Sequence, residues 1–298
     1  MGQVKIPAPA LAVSAMLAIQ LGAALSTHLF DALTPAGAAW LRLSIAAALL
    51  MAITRPAIRS IPRRTLLSTL LLGTATGLMT LMFMEAIARI PLGTAVAIEF
   101  LGPLGVAAIR SHRRLALIWP ALGLVGVVGL TQPWLGELDV VGLLFALAAA
   151  VGWGSYIMLT HRVGSQLDGF GGLAISLSVG AVVIAPFGIA NAVGGLTPTL
   201  AAQSLGLAIL VPLLPFTLEL LALRRMPIAA FGTLMALEPG IATVLGLAIL
   251  TQIPNPLQIA GIVLVISAGI GAQQANTSME RQTPGKNSRN EGLEPLFP

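Results

Sequence analysis

Ten runs of predominantly apolar residues follow one another along the chain, at roughly 10–30, 36–53, 66–88, 91–109, 115–132, 139–160, 170–190, 203–223, 228–250 and 256–273. Each approaches the length of about 20 residues that a helix needs to cross a hydrocarbon core of about 30 Å. Charged residues make up 9% of the chain and apolar ones 56%, whereas a soluble domain uses about a quarter of its residues as charges to cover its surface. Most of this surface must therefore meet lipid. The reading is an all-α, polytopic membrane protein of ten transmembrane helices, with the lipid bilayer as its first partner.

The short segments between the runs give an orientation. With the N-terminus cytoplasmic, the inside segments hold Lys5; Arg55, Arg59, Arg63 and Arg64; Arg110, Arg113 and Arg114; Arg162; Arg224 and Arg225; and Arg281, Lys286 and Arg289. These are 14 of the 16 basic residues. Lysine and arginine resist translocation, so the bias places both termini inside. The lead, residues 1–9, is short and basic, and the run after it reads as a retained helix and not as a cleaved signal peptide. Beyond 273 the hydrophobicity stops, and residues 274–298 read as a disordered cytoplasmic tail.

The chain also repeats itself. Gly93, Thr94 and Glu99 in PLGTAVAIEFLGP return as Gly232, Thr233 and Glu238 in FGTLMALEP, 139 residues later, with four residues between Thr and Glu in both copies. A weaker echo pairs Leu122–Val125 with Ala260–Val263. The halves, 10–132 and 139–273, carry five runs each. Consecutive copies of an odd-span unit enter the membrane from opposite sides, so the expectation is two inverted five-helix repeats around a shared central site.

Six charges fall inside runs or at their edges: Arg42, Glu85, Arg89, Glu99, Glu219 and Glu238. An ionisable group at bilayer depth costs about 3 kcal/mol on insertion scales and usually faces a partner or a wet cavity. Glu99 and Glu238, near the middles of their runs, are the leading candidates for binding a cationic group or exchanging a proton. Alternatively, they are structural acids bonded to backbone freed by Pro103 and Pro239. Arg42 could hold a substrate carboxylate in bidentate fashion, or pair internally with a glutamate. Glu85 and Arg89, four apart, suit a local helical pair. Glu219 lies beside Pro212 and Pro215 and is read as facing substrate, a structural pairing with Arg224 or Arg225, five or six residues on, being geometrically poorer. Gln20, Trp153 and Tyr156 are candidates for the same cavity wall. Pro103, Pro212, Pro215 and Pro239 mark kinks or hinges, as does Pro186. Small residues one turn apart, Gly73 with Gly77 and Gly123 with Gly126 and Gly129, read as helix packing.

Other chemistries find no foothold. The formal charge of +5 is spread through short loops, which suits anionic headgroups and not a nucleic acid. There is no cysteine, so no thiolate site. His28, His112 and His161 stand apart, and neither a zinc trio nor a catalytic triad is indicated. With no phosphate-binding loop, transport would draw on an ion or substrate gradient. No cofactor is expected, and neither an intramembrane enzyme nor a sensor finds its machinery here.

With WLRLSIAAALL around Arg42, and prolines inside the fourth and ninth runs, the chain resembles the EamA-type drug/metabolite transporter superfamily. PLGTAVAIEFLGPLGVA and FGTLMALEPGIATVLGLAIL are similar to the bacterial threonine/homoserine exporter group. That resemblance implies export of threonine, homoserine and related amino acids across the bacterial inner (plasma) membrane. It implies alternating access, with the proton-motive force as driver. Glu99 and Glu238 would then sense the substrate ammonium or a counter-transported proton, and Arg42 the carboxylate. An exporter of drugs or other metabolites on the same fold is the rival. One departure is Gln252, neutral where the family commonly has Glu.

The charge bias predicts that a green fluorescent protein fused after Pro298 fluoresces and that alkaline phosphatase fused there is inactive. The reverse pattern would place the C-terminus outside.

Overall fold

The computed structural model describes residues 7–56, 62–111, 117–135, 139–163, 170–223, 225–226 and 228–282. Lys5, Arg59, His112, Arg113, Arg114, Arg224, Lys286 and Arg289 lie outside the described residues, as does the tail from 283. The described chain is helical, with no strand: α1 (Ala8–Ser26), α2 (Phe30–Thr54), α3 (Arg63–Ile87), α4 (Leu92–Glu99), α5 (Leu101–Ser111), α6 (Ile118–Thr131), α7 (Val140–Val163), α8 (Phe170–Gly195), α9 (Pro198–Ala208), α10 (Leu214–Leu223), α11 (Ile228–Met235), α12 (Glu238–Leu250) and α13 (Pro256–Gln282).

Among the described residues, nine helical stretches are long and apolar enough to cross a membrane. The first, Ala8–Thr54, spans 47 residues and covers two of the runs read from the sequence. No polar loop separates those runs; a 3-10 turn, Thr27–Leu29, carries the hydrogen bonding onward instead. The break comes at Thr34, whose φ of 60° and ψ of 160° are non-helical. Its Oγ1 accepts from the Gly37 amide at 3.2 Å, capping the helix that restarts at Pro35.

The exterior is apolar, with Val182 and Val151 more than 70% exposed; a patch this extensive suits lipid contact. Inside, α2 packs on α8, α3 on α7 and α8, α6 on α13, α4 on α12 and α7, and α1 on α10 and α12. With no hydrophobic drive between helices in lipid, close approach at small residues supplies the attraction. A Cβ at Gly77 would stand 2.6 Å from the Gly180 carbonyl oxygen. One at Gly126 would stand 2.6 Å from that of Gly261, and the contact is reciprocal. The glycine spacings seen in the sequence are thus largely backbone crossings, although Gly123 meets the side chains of Leu101 and Leu104 instead. α8 runs through Pro186 without interruption.

The two ends of the bundle differ. At one end Pro56 lies 3.5 Å from the Cβ position of Gly171. At the other, hydrogen bonds join the two halves of the chain. Gln252 Oε1 accepts from the Leu92 amide at 2.9 Å, Gln132 Nε2 donates to Asn255 Oδ1 at 3.0 Å, and Gln258 Nε2 donates to the Leu130 carbonyl at 3.3 Å. Gln252 therefore closes a contact across the halves. α13 continues to Gln282, past the end of the apolar run near 273. A helix already nucleated propagates cheaply through residues such as Gln273, Gln274 and Ala275.

Valine at Gly77 or Gly126 has no room without moving backbone and should cost about 1–3 kcal/mol. Gly105, with nothing within 4 Å of its Cβ position, accepts alanine at no loss. Thermal unfolding of the detergent-purified variants, followed by loss of monodispersity, should show Gly77→Val and Gly126→Val melting below Gly105→Ala.

Candidate functional site

Three of the helix breaks lie mid-bundle, and they share a purpose. α4 stops at Glu99, with Phe100 between it and α5. Pro103 lacks the N–H that would otherwise bond to the Glu99 carbonyl. α11 stops at Met235, and α12 starts at Glu238 with Pro239 in its first turn. Between α9 and α10 the chain widens into a π turn at Ile209–Leu213, where Val211 leaves helical geometry (φ −146°, ψ 117°) and Pro212 removes a donor. Each acid of the repeated motif thus sits at a discontinuity. Irregular backbone at membrane depth is tolerated where it lines a cavity.

That cavity has a volume of about 250 Å³. All seven candidate substrate-binding residues from the sequence line it: Gln20, Arg42, Glu99, Trp153, Tyr156, Glu219 and Glu238. Of the hinge candidates, Pro212 and Pro215 also line it, whereas Pro103 and Pro239 do not. It reaches toward Leu173, two residues from the Gly171–Pro56 contact, and away from the hydrogen-bonded end.

The polar groups are largely unspent on the protein itself. Glu238 is 3% exposed and Glu99 half-buried, and neither carboxyl is hydrogen-bonded or ion-paired among the described residues. Glu238 lies within electrostatic reach of both Glu219 and Glu99. Arg42 donates through Nη1 to Ser26 Oγ at 3.4 Å, and Ser26 Oγ donates to the Gly22 carbonyl at 2.6 Å. No described carboxylate comes within ion-pair distance of Arg42. Of the two readings left open by the sequence, an internal Arg42–glutamate pair is the one not found. Glu85 and Arg89, by contrast, do pair: Nη1 donates to Oε2 at 2.6 Å, and the guanidinium lies 5.0 Å from the Phe145 ring centre. They take no part in the cavity.

Sequence reading missed an apolar wall. Thr76, Met79, Thr80 and Phe83 line the cavity from one face of α3. Their spacing of three, one and three residues was the available signal, but nothing in it distinguishes a cavity wall from a packed face. Ser26 was missed as well. The Thr76 and Thr80 hydroxyls turn back to the carbonyls four residues earlier at 2.8 Å, leaving this wall smooth. Trp153 is held edge-on by Phe100, ring centres 6.0 Å apart. Among the described residues no group of side chains could hold a metal ion.

A discontinuous-helix cavity with charges of both signs calls for comparison with known proteins. The model of the EamA-like transporter family matches residues 140–271. The threonine/homoserine exporter RhtA of Escherichia coli (strain K12) is 34% identical over 263 residues, covering 87% of this chain and 88% of that protein. The chain belongs to the EamA-like transporter family. RhtA of Salmonella typhimurium (strain LT2) is likewise 34% identical, over 262 residues with the same coverage. A crystal structure of another protein shares the fold, with a TM-score of 0.58 at 19% identity over 93% of this chain and 99% of that one. Membership makes this a multi-pass membrane transporter and not an enzyme.

The chain's lack of cysteine makes labelling a clean test of the cavity. Thr80→Cys and Met235→Cys should react with a small charged methanethiosulfonate several times faster than Val182→Cys on the exterior, as read by mass shift of the purified protein.

Proposed function

We propose that the protein is a secondary-active exporter of small zwitterionic amino acids of the threonine and homoserine kind. It would carry them out across the bacterial inner membrane by alternating access, driven by the proton-motive force. The observation that carries this reading is the pairing of an Arg42 guanidinium free of any described carboxylate with acids that make no hydrogen bond or ion pair among the described residues, around one cavity. Arg42 takes the substrate carboxylate, and Glu99 and Glu238 the ammonium or the counter-transported proton. Three acids against one base leave the empty cavity short of positive charge, which an ammonium or protons supply. Solute or proton binding then shifts the balance of inward- and outward-open states through differential affinity.

Ten crossings in two inverted five-helix repeats, 10–132 and 139–273, are the architecture this needs. The break at Thr34 supports dividing the 47-residue stretch into two crossings, since about 70 Å of helix exceeds a core of about 30 Å. The helix contacts support the repeat. Exchanging each crossing for its counterpart in the other half turns the α3–α7 contact into α10–α1, α4–α7 into α12–α1 and α3–α8 into α9–α2. It maps α2–α8, α4–α12 and α6–α13 onto themselves. Both termini lie in the cytoplasm on this reading.

The rival, export of bulkier lipophilic solutes, draws on the apolar wall of Met79, Phe83, Leu173 and Met235. Drug-sized ligands occupy clefts of about 300–1,000 Å³, so a cavity of about 250 Å³ favours the smaller solute. A resistance panel of amino acids against lipophilic cations separates the two.

Counterflow of labelled threonine in proteoliposomes, with and without a pH gradient, tests the proposal. A charge-assisted hydrogen bond contributes about 1.5–3 kcal/mol, so Glu99→Gln, Glu238→Gln and Arg42→Ala should each lower flux about 10- to 100-fold. Flux indifferent to all three would overturn the assignment, and flux indifferent to the gradient would remove the proton.

A further inference from the structure

Among the described residues Gln20 is the one amide on the cavity wall, and it is out of place by ordinary packing rules. It sits in α1 between the cavity-lining Ile19 and Ala23, is 3% exposed, and its Oε1 is buried with no hydrogen-bond partner among the described residues. A methionine would fill the same space without that cost. Leaving a buried acceptor unpaired is among the more expensive things a fold can do. Among the described residues Thr160 and Ser204 also hold a buried hydroxyl with no partner, but neither lines the cavity, and Ser26, Thr69, Thr76 and Thr80 bond back to their own helices. Gln20 does not.

An α-amino acid has two charged groups, and the cavity matches both. Its carboxylate suits Arg42, which stands beside α1 through Ser26, and its ammonium suits the carboxyls of Glu99 and Glu238. What remains is the side chain. We propose that Gln20 is the specificity-determining residue that reads a side-chain hydroxyl on the solute. The cavity thereby selects hydroxy amino acids over their apolar isosteres. A hydroxyl both donates and accepts, and rotation about the last bond of Gln20 exchanges oxygen for nitrogen, so the amide can complete either hydrogen bond. A site built to bond a hydroxyl penalises the analogue without one, because its own polar group stays unpaired when that analogue is bound. The surrounding wall of Met79 and Phe83 offers an isosteric methyl nothing that replaces the lost bond. This assignment rests on the proposed transport of amino acids.

The experiment compares threonine with valine, and homoserine with norvaline, each pair differing by a hydroxyl replaced with a methyl. In proteoliposomes of the full chain, the hydroxylated member of each pair should be carried at least about tenfold faster. In Gln20→Met that ratio should fall toward one, mainly through loss of threonine and homoserine flux, while Gln20→Asn keeps part of the preference. A ratio unchanged in Gln20→Met overturns the assignment, and so does an equal loss for both members, which would mean that Gln20 serves only the shared backbone groups. Should Gln20→Met not fold, ligand-dependent melting of the unaltered protein decides. Stabilisation by threonine well beyond that by valine supports the role, and equal stabilisation removes it. Wild-type vesicles that move none of the four would sink the transport proposal itself, whereas wild-type vesicles that move threonine and valine alike would sink only the reading of Gln20.

Discussion

Hydrocarbon offers no hydrogen bonds, so every backbone amide and carbonyl at bilayer depth has to find its partner within the protein or at a polar cavity. That constraint makes the interruptions in this bundle informative. Regular helix is kept even through Pro186 in α8. It is given up at Phe100, at Ile209–Leu213 and between Met235 and Glu238, and residues at or beside all three positions line one cavity. The carboxyls of Glu99 and Glu238 are placed by these interruptions, at the end of one short helix and the start of another.

Around the cavity the packing is of a different kind. Where α3 crosses α8, and α6 crosses α13, backbones touch through Gly77 and Gly180 and through Gly126 and Gly261. Such crossings fix the distance between helices because no side chain intervenes to adjust it. The cavity wall, by contrast, holds Met79, Phe83 and Met235, flexible or flat groups that can re-pack around solutes of differing shape. Rigid crossings outside and an adaptable lining within suit a protein that must enclose something small and then release it.

Much of this was legible in the sequence because charge is so rare there. Glu99, Glu238, Glu219 and Arg42 stood out against apolar neighbours, and all four reach the same cavity. The helix count was less legible. Two runs read as separate are joined through Thr27–Leu29, since a 3-10 turn leaves no mark in hydrophobicity and the break at Thr34 depends on one backbone angle. Whether Arg42 pairs with an acid was undecidable from spacing alone, because its partner, Ser26, lies on another helix. The Met79 and Phe83 wall was hidden for the opposite reason: apolar residues at helical spacing are what every segment of this chain contains.

The hydrogen bonds from Leu92 to Gln252, Gln132 to Asn255 and Gln258 to Leu130 tie the halves together at one end. At a net of about 1 kcal/mol each, they favour that end shut by about 3 kcal/mol, or roughly a hundredfold. On the alternating-access reading proposed above, an unloaded carrier then exposes its acids on that side in only about one molecule in a hundred. Protons bound there have few chances to slip inward without cargo. The energy held in three neutral side-chain contacts would thus limit uncoupled leak, and softening them should raise the basal acid influx of resting cells before it changes what the carrier moves.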